Sequence, residues 1–185
     1  VKFTSNKLTD TFYYYGRLSI KSDKVEANVN LQRAVAAFKL HITDETIPEE
    51  VRSIKFYYTG GSSTLDATTG YGWGKSREQR KLGYGCVNSR QTEIFNFTDN
   101  NRDFTVYTFP HEENKAIKMT ISILDADAHA IKTFTKSGFK MKRNEIIKTD
   151  ISLTKSSGGS LDEDDDRNVG LTVDADWGKE TVVRF

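Results

Sequence analysis

The chain has 185 residues, with 27 basic and 26 acidic side chains and a formal net charge of +1. That balance gives no overall drive toward nucleic acid or an anionic membrane, and no window holds the roughly 18 apolar residues of a membrane-spanning helix. The length fits one ordinary domain, or one domain and a piece of another.

The recurring signal along the chain is period two, which marks half-buried strands. Residues 12–20 predict a first strand through the run Tyr13-Tyr14-Tyr15. Residues 31–42 predict a second, with Ala34, Ala36, Phe38, Leu40 and Ile42 on one face and Val35, Ala37, Lys39 and His41 on the other. The alanines there are good helix formers, and Asn28 and Asn30 could cap a helix. The alternation of Phe38, Leu40 and Ile42 favours a strand. Pro48-Glu49-Glu50 predicts a short helical turn, with Pro at a plausible first helical position. Residues 51–59 are β-branched and aromatic, as strands prefer.

Residues 60–88 differ from the rest. They carry Gly60, Gly61, Gly70, Gly72, Gly74, Gly83 and Gly85, with Tyr71, Trp73 and Tyr84 between. A long irregular excursion of this kind is a functional loop or an inserted edge hairpin. Further strands are predicted at 94–98 and 104–109, with Asp99-Asn100-Asn101 read as the hairpin turn between them. Residues 116–124 alternate cleanly through Ile117, Met119, Ile121 and Ile123. Residues 146–153 place Ile147, Thr149, Ile151 and Leu153 on one face, and 169–173 place Val169, Leu171 and Val173 inward. Short strands joined by polar turns, with no long amphipathic helix, predict an all-β chain folded as an antiparallel Greek-key β-sandwich.

No catalytic set emerges, and the chain reads as a non-enzyme without cofactor or metal. The single cysteine, Cys86, has no base beside it in sequence and reads as a small buried residue. His41, His111 and His129 lack the short spacing of a zinc pair. Asp162, Asp164 and Asp166 have the alternate spacing of a calcium loop. Arg167 stands where its glycine belongs and no Glu closes it, so the run 162–166 reads as a solvated loop. Asp125 and Asp127 read as a thinner acidic turn. The glycines at 70, 72 and 74 lack the strand-turn-helix context of a nucleotide site.

Three places together resemble a known family. The run Leu31-Gln32-Arg33-Ala34-Val35-Ala36, continuing to Phe38-Lys39-Leu40, resembles the L-x-R-x-x-A opening of the C-terminal domain in fimbrillin-type proteins of Bacteroidales, including the anchor subunits of their type V fimbriae. Met141-Lys142-Arg143-Asn144, followed by the strand predicted from Ile146, is similar to their R-N-x-x-Y-x-x-x-I-x-L stretch, with Ile147 in place of the usual aromatic. The last strand, ending Asp176-Trp177, is similar to their closing V-x-x-W. The opening Asp10-Thr11-Phe12-Tyr13-Tyr14-Tyr15-Gly16 resembles the segment before their interdomain junction.

The resemblance implies a transthyretin-like sandwich over 31–185. Residues 1–30 would then be the last strand and linker of a missing N-terminal domain, and the start at Val1 would belong to a processed or trimmed fragment. It implies export as a lipoprotein to the outer membrane and the fimbrium. The implied role is that of an anchor or accessory subunit whose partners are other fimbrial subunits, joined by strand addition, with a glycan or host surface protein as a further partner. Lys118, Lys132, Lys136, Lys140 and Lys142 would guard strand edges or simply solvate faces. A carbohydrate-binding module is the alternative, with Tyr71, Trp73 and Tyr84 stacking on sugar rings or contacting a partner.

Overall fold

The computed structural model describes residues 8–21, 26–73, 90–98, 101–113, 115–154, 171–174 and 181–184. They form thirteen strands: β1 (Phe12–Tyr13), β2 (Asn28–Arg33), β3 (Ala36–Ile42), β4 (Ser53–Thr59), β5 (Leu65–Asp66), β6 (Tyr71–Gly72), β7 (Arg90–Asn96), β8 (Asp103–Thr108), β9 (Ala116–Leu124), β10 (Ala130–Lys140), β11 (Ile146–Ile151), β12 (Leu171–Asp174) and β13 (Thr181–Arg184). Among the described residues there is no helix, and so none long and apolar enough to cross a membrane.

Two four-stranded sheets face each other, ordered β10-β9-β4-β7 and β12-β11-β3-β8. All their pairings are antiparallel but one: β11 runs parallel to β3, with Ile147 opposite Phe38 and Ile151 opposite Ile42. The first and seventh strands of this eight-stranded set thus lie parallel at the centre of one sheet. This is the transthyretin arrangement, and it departs from an antiparallel pattern at that pair alone. The chain crosses between sheets at β3–β4, β7–β8, β8–β9 and β10–β11, which gives the Greek-key path.

The core forms where the alternating faces meet. Phe38, Leu40 and Ile42 of β3 and Phe104 and Val106 of β8 pack against Ile54 and Phe56 of β4 and Ile117, Met119, Ile121 and Ile123 of β9. Edge-to-face rings stitch the layers together. Phe38 meets Phe56 at 6.5 Å, Phe56 meets Phe95 at 5.7 Å, and Phe95 meets Phe104 at 5.7 Å. Such geometry sets ring edges against ring faces and adds to the burial itself.

Several sequence expectations are corrected. The run 12–20 gives only the two-residue β1, and residues 14–20 stay exposed without ladder bonds. The ladder with β2 stops after Phe12 with Arg33 and Tyr13 with Gln32. The run 31–42 is two strands. Ala34 and Val35 step between a small sheet, β1-β2-β13, and the main one, with Ala34 N donating to Thr11 O and Val35 O accepting from Asn144 N. Both faces are covered at this step, which is why alanine and valine fit there. Pro48-Glu49-Glu50 makes a single turn closed by Val51 N on Pro48 O, not a helix. Asp99-Asn100-Asn101 does not join a hairpin, since β7 and β8 belong to different sheets; residues 99 and 100 lie outside the described residues. The eleven-residue β10 carries no legible alternation: only Phe134 is buried, and two register shifts interrupt its ladder with β9.

Candidate functional site

The motif residues meet where the N-terminal segment, the β5–β6 hairpin and the turn between β10 and β11 come together. Arg33, at the end of β2, donates from Nε and Nη2 to the two carboxylate oxygens of Asp10 at 2.8 and 3.1 Å. Its Nη1 donates to Asn144 Oδ1 at 2.9 Å, and its guanidinium lies 4.8 Å from the centre of the Phe12 ring. The fork of Arg suits this bidentate grip on a carboxylate. Asn144 holds a left-handed backbone at φ 64°, which Asn tolerates in turns.

Next to it, Arg143 lies between two aromatic rings, 5.4 Å from the centre of Tyr13 and 4.5 Å from that of Tyr71. Its Nη1 donates to Tyr13 Oη at 2.8 Å and reaches Thr69 O at 3.3 Å. Tyr13 Oη lies 3.1 Å from Gln32 Oε1, to which it donates. Gly70 has φ +73°, and a Cβ there would stand 1.9 Å from Tyr13 Cζ. The hairpin can close over Tyr13 only with glycine at that position. Both guanidinium groups are engaged with carboxylate, carbonyl or ring partners. The arrangement locks three chain segments together rather than presenting reactive groups.

A buried polar patch lies beneath the hairpin. Tyr58 Oη stands 2.9 Å from both Glu93 Oε1 and Tyr107 O. Thr108 Oγ1 donates to Gln91 Oε1 at 2.7 Å, and Ser62 N donates to Thr108 Oγ1 at 3.1 Å. Burial first, then the adjacent Glu93 carboxylate, pushes the Tyr58 phenol far above its ordinary range. His111, half-buried near Lys115, is held below the usual imidazole range by burial and by that charge.

Of the aromatics proposed as contacts, Tyr71 is stacked against Arg143, and Trp73 follows β6 with 37% of its surface exposed. Tyr84 lies outside the described residues, as do Cys86 and the acidic run 162–166. Asp125 accepts from the turn amides of Asp127 and His129 at 3.0 and 2.8 Å, a turn-closing role. Lys132 Nζ donates to Ser152 O and Leu153 O, and Lys142 stands 3.6 Å from Glu145. His41 and Lys39 both face Asp103.

Sequence reasoning missed Asp44. Its carboxylate accepts from Leu153 N at 2.6 Å, Ser152 Oγ at 3.0 Å, Thr154 N at 3.1 Å, and also from Thr154 Oγ1. It ties the exit of β3 to that of its parallel neighbour β11. No sequence signal marks this role, because the partners stand more than a hundred residues away. Beside it, at the same end of the sandwich, an open cleft of about 560 Å³ is lined by Glu45, Ile47, Arg52, Phe97 and Arg102. Arg102 donates to the carbonyls of Asp44 and Glu45, so it too serves the loop that shapes the cleft.

The model of a family described as a family of unknown function, DUF6562, matches residues 2–183. No curated protein matches. Among solved structures, the chain is similar to a Bacteroides ovatus crystal structure provisionally described as that of a cell adhesion protein, at 12% identity and a TM-score of 0.43. The match covers 79% of this chain and 45% of that one, so the chain spans less than half the length of that protein.

Proposed function

The chain belongs to the DUF6562 family of unknown function, and from that premise we propose that it is a non-enzymatic structural or adhesive unit of a bacterial cell surface. The role is that of an anchor or accessory subunit of a fimbria, exported to the outer membrane and joined to neighbouring subunits by strand pairing.

The observation that carries this reading is the contrast between the two margins of one sheet. At one margin of the described sheet β10 has two register shifts and carries Lys136 and Lys140. Bulges and lysines are the devices that keep an edge from pairing indiscriminately. At the other margin, among the described residues, β7 pairs with β4 through seven consecutive residues without a shift. Its outward Ile94 is 59% exposed. A sandwich guarded on one side and regular on the other suits directed strand addition, in which backbone bonds supply affinity and alternate side chains supply specificity. The locked junction of Arg33 and Arg143 supports the same reading, because it braces the chain against shear where the N-terminal segment enters.

Immunogold labelling of intact cells that make the protein tests the proposal. Label on the cell surface, along fibres or at their bases, is the expected result. In cells carrying Ile94→Lys, the protein should reach the surface but leave the fibres. Label confined to the cell interior, or fibres unchanged when the protein is deleted, would contradict it.

A further inference from the structure

A buried hydroxyl and a buried amide meet between the two layers. Gln91 on β7 and Thr108 on β8 are 8% and 0% exposed, and Thr108 Oγ1 donates to Gln91 Oε1 at 2.7 Å. The two strands belong to different sheets, so no ladder bond joins them.

The surroundings hold this pair in place and keep water from it. Ser62 N donates to Thr108 Oγ1 at 3.1 Å, which fixes the hydroxyl from another side. The backbone closes over it at Gly61, where a Cβ would stand 1.9 Å from Thr108 Oγ1. Glu93 lies two residues along the same face of β7 and is the only buried acid among the described residues. Tyr58 Oη, 2.9 Å from Glu93 Oε1 and from Tyr107 O, ties that carboxylate to the backbone beside Thr108.

Hydroxyl, amide and carboxylate are the parts of an acyl transfer. The amide carbon of Gln91 is one bond, about 1.2 Å, behind Oε1. Thr108 Oγ1 therefore stands less than about 4 Å from that carbon whatever the angle at the oxygen. Attack needs roughly 3–3.5 Å, and a turn of the Gln91 amide about its last torsion, which is broad and soft, closes the difference.

We propose that Thr108 and Gln91 join in an intramolecular ester that staples β7 to β8. Thr108 Oγ1 attacks Gln91 Cδ; the Oγ1–Cδ bond forms and the Cδ–Nε2 bond breaks. The hydroxyl proton passes by way of the Glu93 carboxylate to Nε2, and the nitrogen leaves as ammonia. Nothing is oxidised or reduced, and no second reactant takes part. Burial keeps water from cleaving the ester once it has formed. The bond would tie one layer of the sandwich to the other, and it depends neither on export nor on the strand addition proposed above.

Intact-mass spectrometry of the full chain tests this. The wild-type protein should weigh one ammonia less than its sequence. After trypsin, which cuts behind Arg90, Arg102 and Lys115, peptides 91–102 and 103–115 should appear joined, and alkaline hydroxylamine, which cleaves esters, should separate them. Thr108→Ser keeps a hydroxyl and should keep the joined pair. Thr108→Val should show the full mass and two separate peptides. Wild-type protein at the full mass of its sequence would overturn the proposal. So would an ammonia loss with the two peptides separate, or a joined pair that survives in Thr108→Val.

Discussion

Replacing Arg143 by alanine should unlock the hairpin from the N-terminal segment. Three kinds of contact vanish together. The charge-assisted bond to Tyr13 Oη is 2.8 Å long and half-buried, and bonds of this kind are worth about 1.5–3 kcal/mol, less where water reaches them. The two ring contacts at 5.4 and 4.5 Å add about 0.5–1 kcal/mol each. The loss should therefore be about 2–3 kcal/mol, which in a chain of this size lowers the melting temperature by roughly 5–10 °C. Arg143→Lys keeps the charge but loses the planar fork and the stacking, and should recover less than half of that. Thermal unfolding gives the total. Amide exchange at Gly72 and Trp73, bonded to Pro110 O and Thr64 O, should accelerate because the hairpin loses its clamp. A Tyr13→Phe, Arg143→Ala double-mutant cycle isolates the coupling, expected at about 1 kcal/mol. If Arg143→Ala stayed within about 0.5 kcal/mol of the wild type, or Arg143→Lys matched the wild type in full, the lock would carry no energy and the reasoning would fail.

Other outcomes follow from the core and the sheet ends. Phe56→Ala removes a fully buried ring and two edge-on partners and should cost about 4 kcal/mol or more in urea unfolding; a loss under about 1.5 kcal/mol would mean that the layers do not close on this ring. Tyr58→Phe removes a buried hydroxyl that stands 2.9 Å from both Glu93 Oε1 and Tyr107 O and should cost about 1–3 kcal/mol. In the wild type the phenol should resist titration until the fold opens in alkali, and an ordinary spectrophotometric tyrosine midpoint for this residue would contradict its burial. For Asp44, burial opposes ionisation, but the donors from Thr154, Leu153 and Ser152 outweigh it and hold the carboxyl below its usual range. The stability it contributes is present above the unfolded value near 4 and is lost as pH falls through the lower folded value. Asp44→Ala should thus be weaker than the wild type by about 1–2 kcal/mol at neutral pH, and the two should converge in acid. A gap that persisted unchanged at about pH 2 would show that ionisation is not the cause.

The strands legible in the sequence are those with one face in the core and one in water. β9 and β4 are the clearest, since Ile117, Met119, Ile121 and Ile123, and then Ile54 and Phe56, alternate with polar residues. β10 was hidden because an edge strand that buries only Phe134 needs no apolar alternation, and its register shifts break the period. Residues 14–20 have strand propensity but no ladder partner among the described residues, because propensity cannot report whether a neighbour is available. The crossover after β7 looked like a hairpin because a turn-forming triplet does not encode which sheet follows. At the junction, Arg33 and Arg143-Asn144 were visible as motif residues. Their meeting through the 2.9 Å bond to Asn144 joins positions far apart in the chain, which only the parallel placement of β11 beside β3 brings about. The stacking of Tyr71 on Arg143 was equally out of reach, and Asp44 carries no local signature at all.

The most direct measurement is a cryo-electron-microscopy reconstruction of fibres from cells that make the protein. An added strand from a neighbouring subunit should lie beside the described sheet β10-β9-β4-β7, with the two facing layers intact. Fibres from which this chain is absent, or in which it is held without any added strand, would contradict the account.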